Sequence, residues 1–278
     1  MSKLILVISC PDEKGLIARI TGVLHRHNGN IVENGEFVDA EQNRFFMRTA
    51  VEGIEDVDLL QRVLKTELPR EARIRISGSG RKRVVLMATT EPHCLGDLLI
   101  RAGFGDLPME VASVISNHDT LRELTESFHV PYHHVSAEGL SRGEHEAQVG
   151  ALLEAAQPDL IVMAKYMRIL TSGFIQQYRN RILNIHHSFL PAFIGANPYR
   201  QAWERGVKII GATAHFASED LDEGPIIAQD VIPVNHNHGP KEMARNGRDV
   251  EKRVLARAVR FVLEDRVIVN GNKTIIFE

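Results

Sequence analysis

The sequence predicts two α/β domains in series: a ferredoxin-like βαββαβ unit, then a larger domain built on a mostly parallel sheet. Three observations carry this. Short apolar runs alternate with amphipathic helical patterns along the whole chain. The small, flexible and basic stretch "ISGSGRKR", Ile76 to Arg83, separates two such series as a linker would. With 278 residues the chain is long enough to bury two cores. We place the domains at residues 1–78 and 84–278, joined by 79–83.

In the first domain "KLILVIS" reads as a strand and "GLIARITGVLHRHN" as an amphipathic helix, with Ile17, Ile20, Val23 and Leu24 at helical spacing toward a sheet. "GNIVENGEFVD" and "RFFMRTAVEG" read as paired strands, "VDLLQRVLKTEL" as a second helix and "RIRIS" as the closing strand. In the second domain "RVVLMAT", "MEVASVISN", "PYHHV", "DLIVMA" and "ILNIH" are short apolar strands separated by helical patterns. That spacing requires crossovers and hence parallel pairing with both faces covered. "KIIGATAHFAS" and "PIIAQDVIPV" are two longer strands, "DVEKRVLARAVRFVLEDR" is an amphipathic helix, and "VIVNGNKTIIF" is a hairpin turning at Asn270-Gly271.

Composition narrows the function. Hydrophobic residues at 44%, charged residues at 25% and a formal net charge of -3 describe a globular protein without the positive excess of a nucleic-acid binder. No run reaches the length of a membrane span, and "MSKLILVISCPDEKG" lacks a signal peptide's long apolar core and cleavage site, so a cytoplasmic protein with no membrane partner is expected. Cys10 and Cys94 fall in different domains and read as small buried thiols.

The candidate chemistry starts at "NIHHSFLPAF", Asn184 to Phe193. Strand alternation puts Asn184 and His186 on one side and His187 on the other, at the strand's carboxyl end, where ligands sit in such sheets. Asp222 is our choice of partner, in the acidic turn "SEDLDEGPI" between two apolar strands. A carboxylate beside an imidazole favours the protonated ring, and a carboxamide donates to a developing oxyanion, a set suited to adding water or an amine to a carbonyl carbon. Rival constellations carry less. "YHHV" and "NHNH" lack H-E-x-x-H spacing and a third ligand, so no metal is expected. "GFGDLP" lacks the third glycine of a dinucleotide fingerprint, and neither a phosphate-cradling G-x-x-x-x-G-K-[ST] loop nor a G-x-S-x-G elbow occurs. The mixed charges of Arg245 to Arg260 read as a solvated helix face.

With Asn184-Ile185-His186 at a strand end and Leu221-Asp222-Glu223-Gly224-Pro225 downstream, the second domain resembles the folate-dependent formyltransferase family. "YMRIL", Tyr166 to Leu170, is similar to that family's pterin-cleft segment, and "TAHFASEDLDEGP" is similar along its length. Through "CPDEKGLIARIT" and "HNGNIVENGEFVD" the first domain resembles an ACT domain, a regulatory module that binds small amino acids. The resemblance implies a Rossmann-like catalytic fold behind that module. It also implies hydrolysis of 10-formyltetrahydrofolate by water to tetrahydrofolate and formate, which would supply formate for purine synthesis and balance one-carbon pools. The folate derivative is then the substrate and no separate cofactor is needed. Two alternatives stay open: formyl transfer to glycinamide ribonucleotide or another amine, and a non-catalytic amino-acid and folate sensor.

One departure weighs on the choice. Where glycinamide ribonucleotide formyltransferases carry a G-S-N phosphate loop, this chain has "ATTEPHCLGDLL"; Glu91 and Pro92 bring a negative charge and remove a backbone donor, so the acceptor pocket is expected to be lost. His187 stands where those enzymes have proline and reads as a loop-fixing residue. By resemblance Asn184, His186 and Asp222 are catalytic, with His186 as oxyanion donor or as general base. Met163, Arg168, Ile169, Leu170, Asp220 and His215 are expected to bind the substrate. In the ACT module Asp12, Gly15 and Leu16 at the first helix's start and Asn30 after its end are expected to bind an amino-acid effector, glycine or methionine, in a homo-oligomer.

Overall fold

The computed structural model describes residues 3–192 and 197–278. The chain divides into two compact units. The first holds residues up to Gly80 together with Glu264–Ile268 and Phe277–Glu278; the second holds Arg81–Leu263 and Val269–Ile276.

The first unit runs β1 (Leu4–Pro11), α1 (Leu16–Arg26), β2 (Asn30–Asp39), β3 (Arg44–Glu52), α2 (Val57–Glu67) and β4 (Arg73–Gly78). This is the expected βαββαβ order, and its strands lie β2-β3-β1-β4, with β1 antiparallel to both neighbours. Alternate β1 residues Leu4, Leu6, Ile8 and Cys10 meet Leu16, Ile20, Val23 and Leu24 of α1 and Leu60 and Leu64 of α2 in one core. Ile17 was expected on that face but is 44% exposed; Leu16 fills the position, and Ile17 falls at the margin of the apolar stripe. Gly15 precedes α1 with φ +87°, a conformation that favours glycine, and Asp56 caps α2 by accepting from the Leu59 amide at 2.8 Å.

The second unit runs β5 (Lys82–Ala88), α3 (Pro92–Gly103), β6 (Met109–Ser116), α4 (Arg122–Glu126), β7 (Tyr132–His134), α5 (Arg142–Ala156), β8 (Leu160–Met163), α6 (Ser172–Gln177) and β9 (Ile182–His186). It continues with α7 (Pro198–Arg205), β10 (Ile209–Phe216), β11 (Ile226–Pro233) and α8 (Pro240–Leu263). Seven strands lie in the order β11-β10-β9-β8-β5-β6-β7. The five from β9 to β7 are parallel, while β10 and β11 are antiparallel additions at one edge. Strand β8, "LIVM", is buried throughout, which is why no polar alternation marks it in the sequence. The remaining strands, β12 (Val267–Asn270) and β13 (Lys273–Ile276), pair as a hairpin whose turn has Gly271 at φ +62°.

Helix α8 starts nine residues before the segment read from the sequence. The Gly239 amide donates to the Glu242 carboxylate at 3.0 Å, and Pro240 opens the first turn, so the start is set by local chemistry ahead of the hydrophobic pattern. No helix among the described residues is long and apolar enough to cross a membrane.

Candidate active site

The strand register converges three segments. Asn184 of β9 lies beside Met163 of β8 on one side and His215 of β10 on the other, and His186 lies beside Thr213. Asn184, His215 and Asp222 all line one small cavity of about 60 Å³, whereas His187 lines a different one of about 440 Å³. The alternation expected of a strand end therefore sets His187 apart from Asn184, while His186 lines neither cavity.

Asp222 reaches the cavity because the β10–β11 turn is tightly folded. The Phe216 amide donates to the Pro225 carbonyl at 2.9 Å, and Asp222 itself has φ +60°. A Cβ on Gly224 would sit 1.8 Å from the Phe216 carbonyl oxygen, so only glycine permits that approach. The Asp222 carboxylate then meets His186 Nδ1 at 3.2 Å with one oxygen and stands 3.8 Å from His215 Nε2 with the other.

Hydrogen bonding fixes the roles of the two histidines. His215 Nδ1 donates to the Phe216 carbonyl at 3.0 Å, so its Nε2 carries a lone pair that accepts from the Asn184 amide at 3.2 Å. Burial pushes the His215 imidazole below its ordinary value, which keeps it neutral in that role. Burial alone would raise the Asp222 carboxyl, but the hydrogen bond from His186 and the interaction with that imidazole outweigh it, holding the group below the usual range and ionised. His186 is left with Nε2 buried and without a hydrogen-bond partner among the described residues. With Nδ1 given to Asp222, that free Nε2 is a lone pair in the neutral ring and a donor in the protonated one, so it suits either a general base or a donor to a developing oxyanion.

The small cavity is walled by Met163, Arg168, Ile169, Leu170, Asn184, His215 and Asp222, so five of the six expected substrate contacts stand beside two of the three expected catalytic groups. Asp220 is outside that wall; its main-chain carbonyl accepts from the Ser218 hydroxyl at 2.7 Å. Ile175, Ala217, Ser218, Glu219 and Leu221 also line it. The turn that delivers Asp222 is itself a wall, a consequence visible in the sequence only once the turn's path is known.

A second polar cluster borders the larger cavity and was not visible in the sequence. Glu251 of α8 is 1% exposed, contrary to the solvated face expected for that helix. Its carboxylate accepts from Tyr199 at 2.6 Å, faces His93 Nε2 at 2.8 Å and pairs with the buried Lys165 ammonium at 3.3 Å. Burial would raise Glu251, but His93, Lys165 and Tyr199 together bring it down to about 2. Gly247, one turn earlier, leaves room for Tyr199: a Cβ there would lie 2.0 Å from its hydroxyl. His93, Cys94 and Glu251 also have ligand atoms within 4.8 Å of one another. The ammonium already at the carboxylate and a Cys94 thiol that burial pushes well above its ordinary value both oppose a metal ion there. Glu91 sits on the rim of the same cavity, 3.5 Å from Arg248. The turn that carries Glu91 and Pro92 thus borders an open space of mixed charge.

In the first unit the expected effector residues separate. The Asp12 amide donates to the Asn43 carbonyl at 2.9 Å beyond one end of β1, Gly15 starts α1, and Leu16 is a core residue at 2% exposure. Asn30 pairs with Glu52 at the other end of the sheet, a strand length of roughly 23 Å away at about 3.3 Å per residue. One small molecule cannot touch both in a single chain.

These features define a class: a formyl transferase fold behind an ACT module. Residues 82–259 match the formyl transferase family and residues 4–68 match the ACT domain. Formyltetrahydrofolate deformylase of Escherichia coli K12 is 55% identical over 276 residues, 99% of each chain. That of Bacillus subtilis is 45% identical over 98% of this chain and 93% of its own. The crystal structure of a formyltetrahydrofolate deformylase from Pseudomonas syringae pv. tomato superposes with TM-score 0.97 at 44% identity, covering 100% of this chain and 95% of that one. Glycinamide ribonucleotide transformylase 1 from Symbiobacterium toebii superposes with TM-score 0.70 at 32% identity, over 74% of this chain and 98% of its own. The chain belongs to the formyltetrahydrofolate deformylase family.

Proposed function

We infer that this protein hydrolyses 10-formyltetrahydrofolate to tetrahydrofolate and formate. The observation that carries the reading is His186, whose Nδ1 meets an ionised Asp222 and whose buried Nε2 has no partner among the described residues, next to a partly apolar cleft lined by Asp222 and Asn184. The pterin lies in the cleft of Met163, Arg168, Ile169 and Leu170. As water adds to the formyl carbon, Asn184 and His186 donate to the oxygen that becomes negative, and Asp222 holds the water and stabilises the protonated imidazole. The C–N10 bond then breaks, N10 takes a proton, and formate leaves as the anion with one proton released.

Water rather than an amine is the acceptor because Pro92 removes an amide donor from the turn where a phosphate loop would lie, and Glu91 places a carboxylate there, 3.5 Å from Arg248. We further propose that the ACT unit binds an amino acid, glycine or methionine, at a site completed by a second copy. The separation of Asn30 from Asp12 and Gly15 within one chain supports this. The test is to incubate the protein with 10-formyltetrahydrofolate alone, follow tetrahydrofolate and formate, then titrate amino acids. Stoichiometric formate without any amine is the expected result. Formate appearing only after an amine is added would overturn the reading.

A further inference from the structure

The proposed hydrolysis creates an anion in a place unsuited to keeping it. Formate forms beside the Asp222 carboxylate, in a cleft whose wall carries one arginine, Arg168, against two carboxylates, Glu219 and Asp222. Tetrahydrofolate occupies the mouth of that cleft when the C–N10 bond breaks. The larger cavity of about 440 Å³ has the opposite balance: Lys165, Arg200, Lys241 and Arg248 against Glu91 and Glu251. Lys165 is 96% buried, with 4% of its side chain exposed, and Lys241 has no ion-pair partner among the described residues.

His187 stands between the site residues and the larger cavity in sequence and contact: its ring lines that cavity and lies 5.3 Å, centroid to centroid, from that of His186 and 5.8 Å from that of Tyr199. The charges acting on it come from both groups, from Lys165 and Glu251 as well as from His186 and Asp222. Burial first, and then the Lys165 charge, bring its pKa down to about 4, so at neutral pH it is an uncharged ring in the wall of the positive cavity.

Resting on the hydrolase reading, we propose that the cavity lined by His187, Lys165 and Lys241 is the product-anion site through which formate leaves while tetrahydrofolate still fills the folate cleft. The same space admits the next water. The step needs no further reactant: water supplies the oxygen, N10 keeps the bonding pair of the broken C–N bond and takes one proton, and the carboxylate moves down the gradient of lining charge.

The experiment is product inhibition by sodium formate with 10-formyltetrahydrofolate varied and sodium chloride as the ionic-strength control. Formate is expected to lower kcat and KM together, because it binds the folate-occupied enzyme. Lys241→Glu, at an exposed rim position, is expected to weaken that inhibition about threefold at low salt and less as salt screens the field. Ala244→Phe, filling the cavity from α8, is expected to lower kcat about tenfold with KM and Tm unchanged. Strict competition between formate and substrate, or both variants folded with unaltered kcat and inhibition, would overturn the route and leave the hydrolase reading standing. Absence of formate release by the wild-type protein given substrate alone would instead remove the hydrolase reading, and this inference with it.

Discussion

Asp222 and Glu251 are both carboxylates buried in the second unit, both ionised and both held by histidine, yet their surroundings are unlike. Glu251 is saturated: a lysine, an imidazole and a phenol meet its two oxygens. Asp222 leaves work undone, since the imidazole it holds has a ring nitrogen with no partner among the described residues, and Asp222 itself lines a cavity. Burying an ion pair is not in itself a sign of catalysis. What separates a reactive carboxylate from a structural one is the valence left over after the fold has been satisfied.

Paired substitutions test that distinction most directly. Asp222→Asn keeps the shape, and asparagine tolerates the left-handed backbone at φ +60°, so Tm should change little while kcat falls about 1000-fold, near the upper end for losing an electrostatic partner at a reacting carbon. Glu251→Ala should do the reverse. It strands the Lys165 ammonium in the interior and should cost about 3–5 kcal/mol in urea unfolding. If the two variants exchanged behaviours, the contrast would collapse.

Acidification should separate the regions at somewhat smaller cost. The Glu251 pKa is depressed in the folded state from 4.5 to about 2 and that of His187 from 6.5 to about 4. A depressed group contributes stability that is present above its unfolded pKa and lost as pH falls through its folded one. His187 therefore erodes stability between about pH 6.5 and 4, and Glu251 between about 4.5 and 2, each by of order 3 kcal/mol at about 1.4 kcal/mol per pKa unit. His187→Phe should narrow the first window to what the depressed His215 and His145 still contribute and leave the second, as read from urea midpoints at pH 6.5 and 4.5. An unchanged midpoint shift between those values would show that His187 is not held neutral.

The smallest effect is expected at His215, whose neutral Nε2 orients the Asn184 carboxamide. His215→Phe removes one neutral hydrogen bond worth about 1 kcal/mol, so kcat should fall roughly fivefold to tenfold with KM nearly constant. A loss as large as that of Asp222→Asn would make His215 a direct participant in the chemistry instead of a positioning residue.

Much of this could be read from the residues, for identifiable reasons. The βαββαβ unit and the parallel strands show because their burial follows simple periods, and Asn184, His186 and Asp222 show because polar groups at the ends of apolar strands are conspicuous. Glu251 did not show. It sits in "DVEKRVLARAVR" among charges that do face solvent, and only spacing betrays it: Gly247, Glu251, Val254 and Ala258 recur at helical intervals and are all buried. Lys165 was equally hidden: it follows β8 directly, but the carboxylate that pairs with it in the interior comes from α8, far along the chain. Nor did the pattern indicate that Glu264–Ile268 would count with the first unit, since a short segment after a helix carries no periodicity of its own.

The close approach of Gly224 to the Phe216 carbonyl has a consequence for how this scaffold can change. The acid is welded to the hairpin, because any side chain at that position would pry the loop from the strand and carry the carboxylate with it. New specificities on this framework must therefore be sought in the opposite walls, from Arg168 to Leu170 or around Tyr199, where side chains can be exchanged without moving the reactive group.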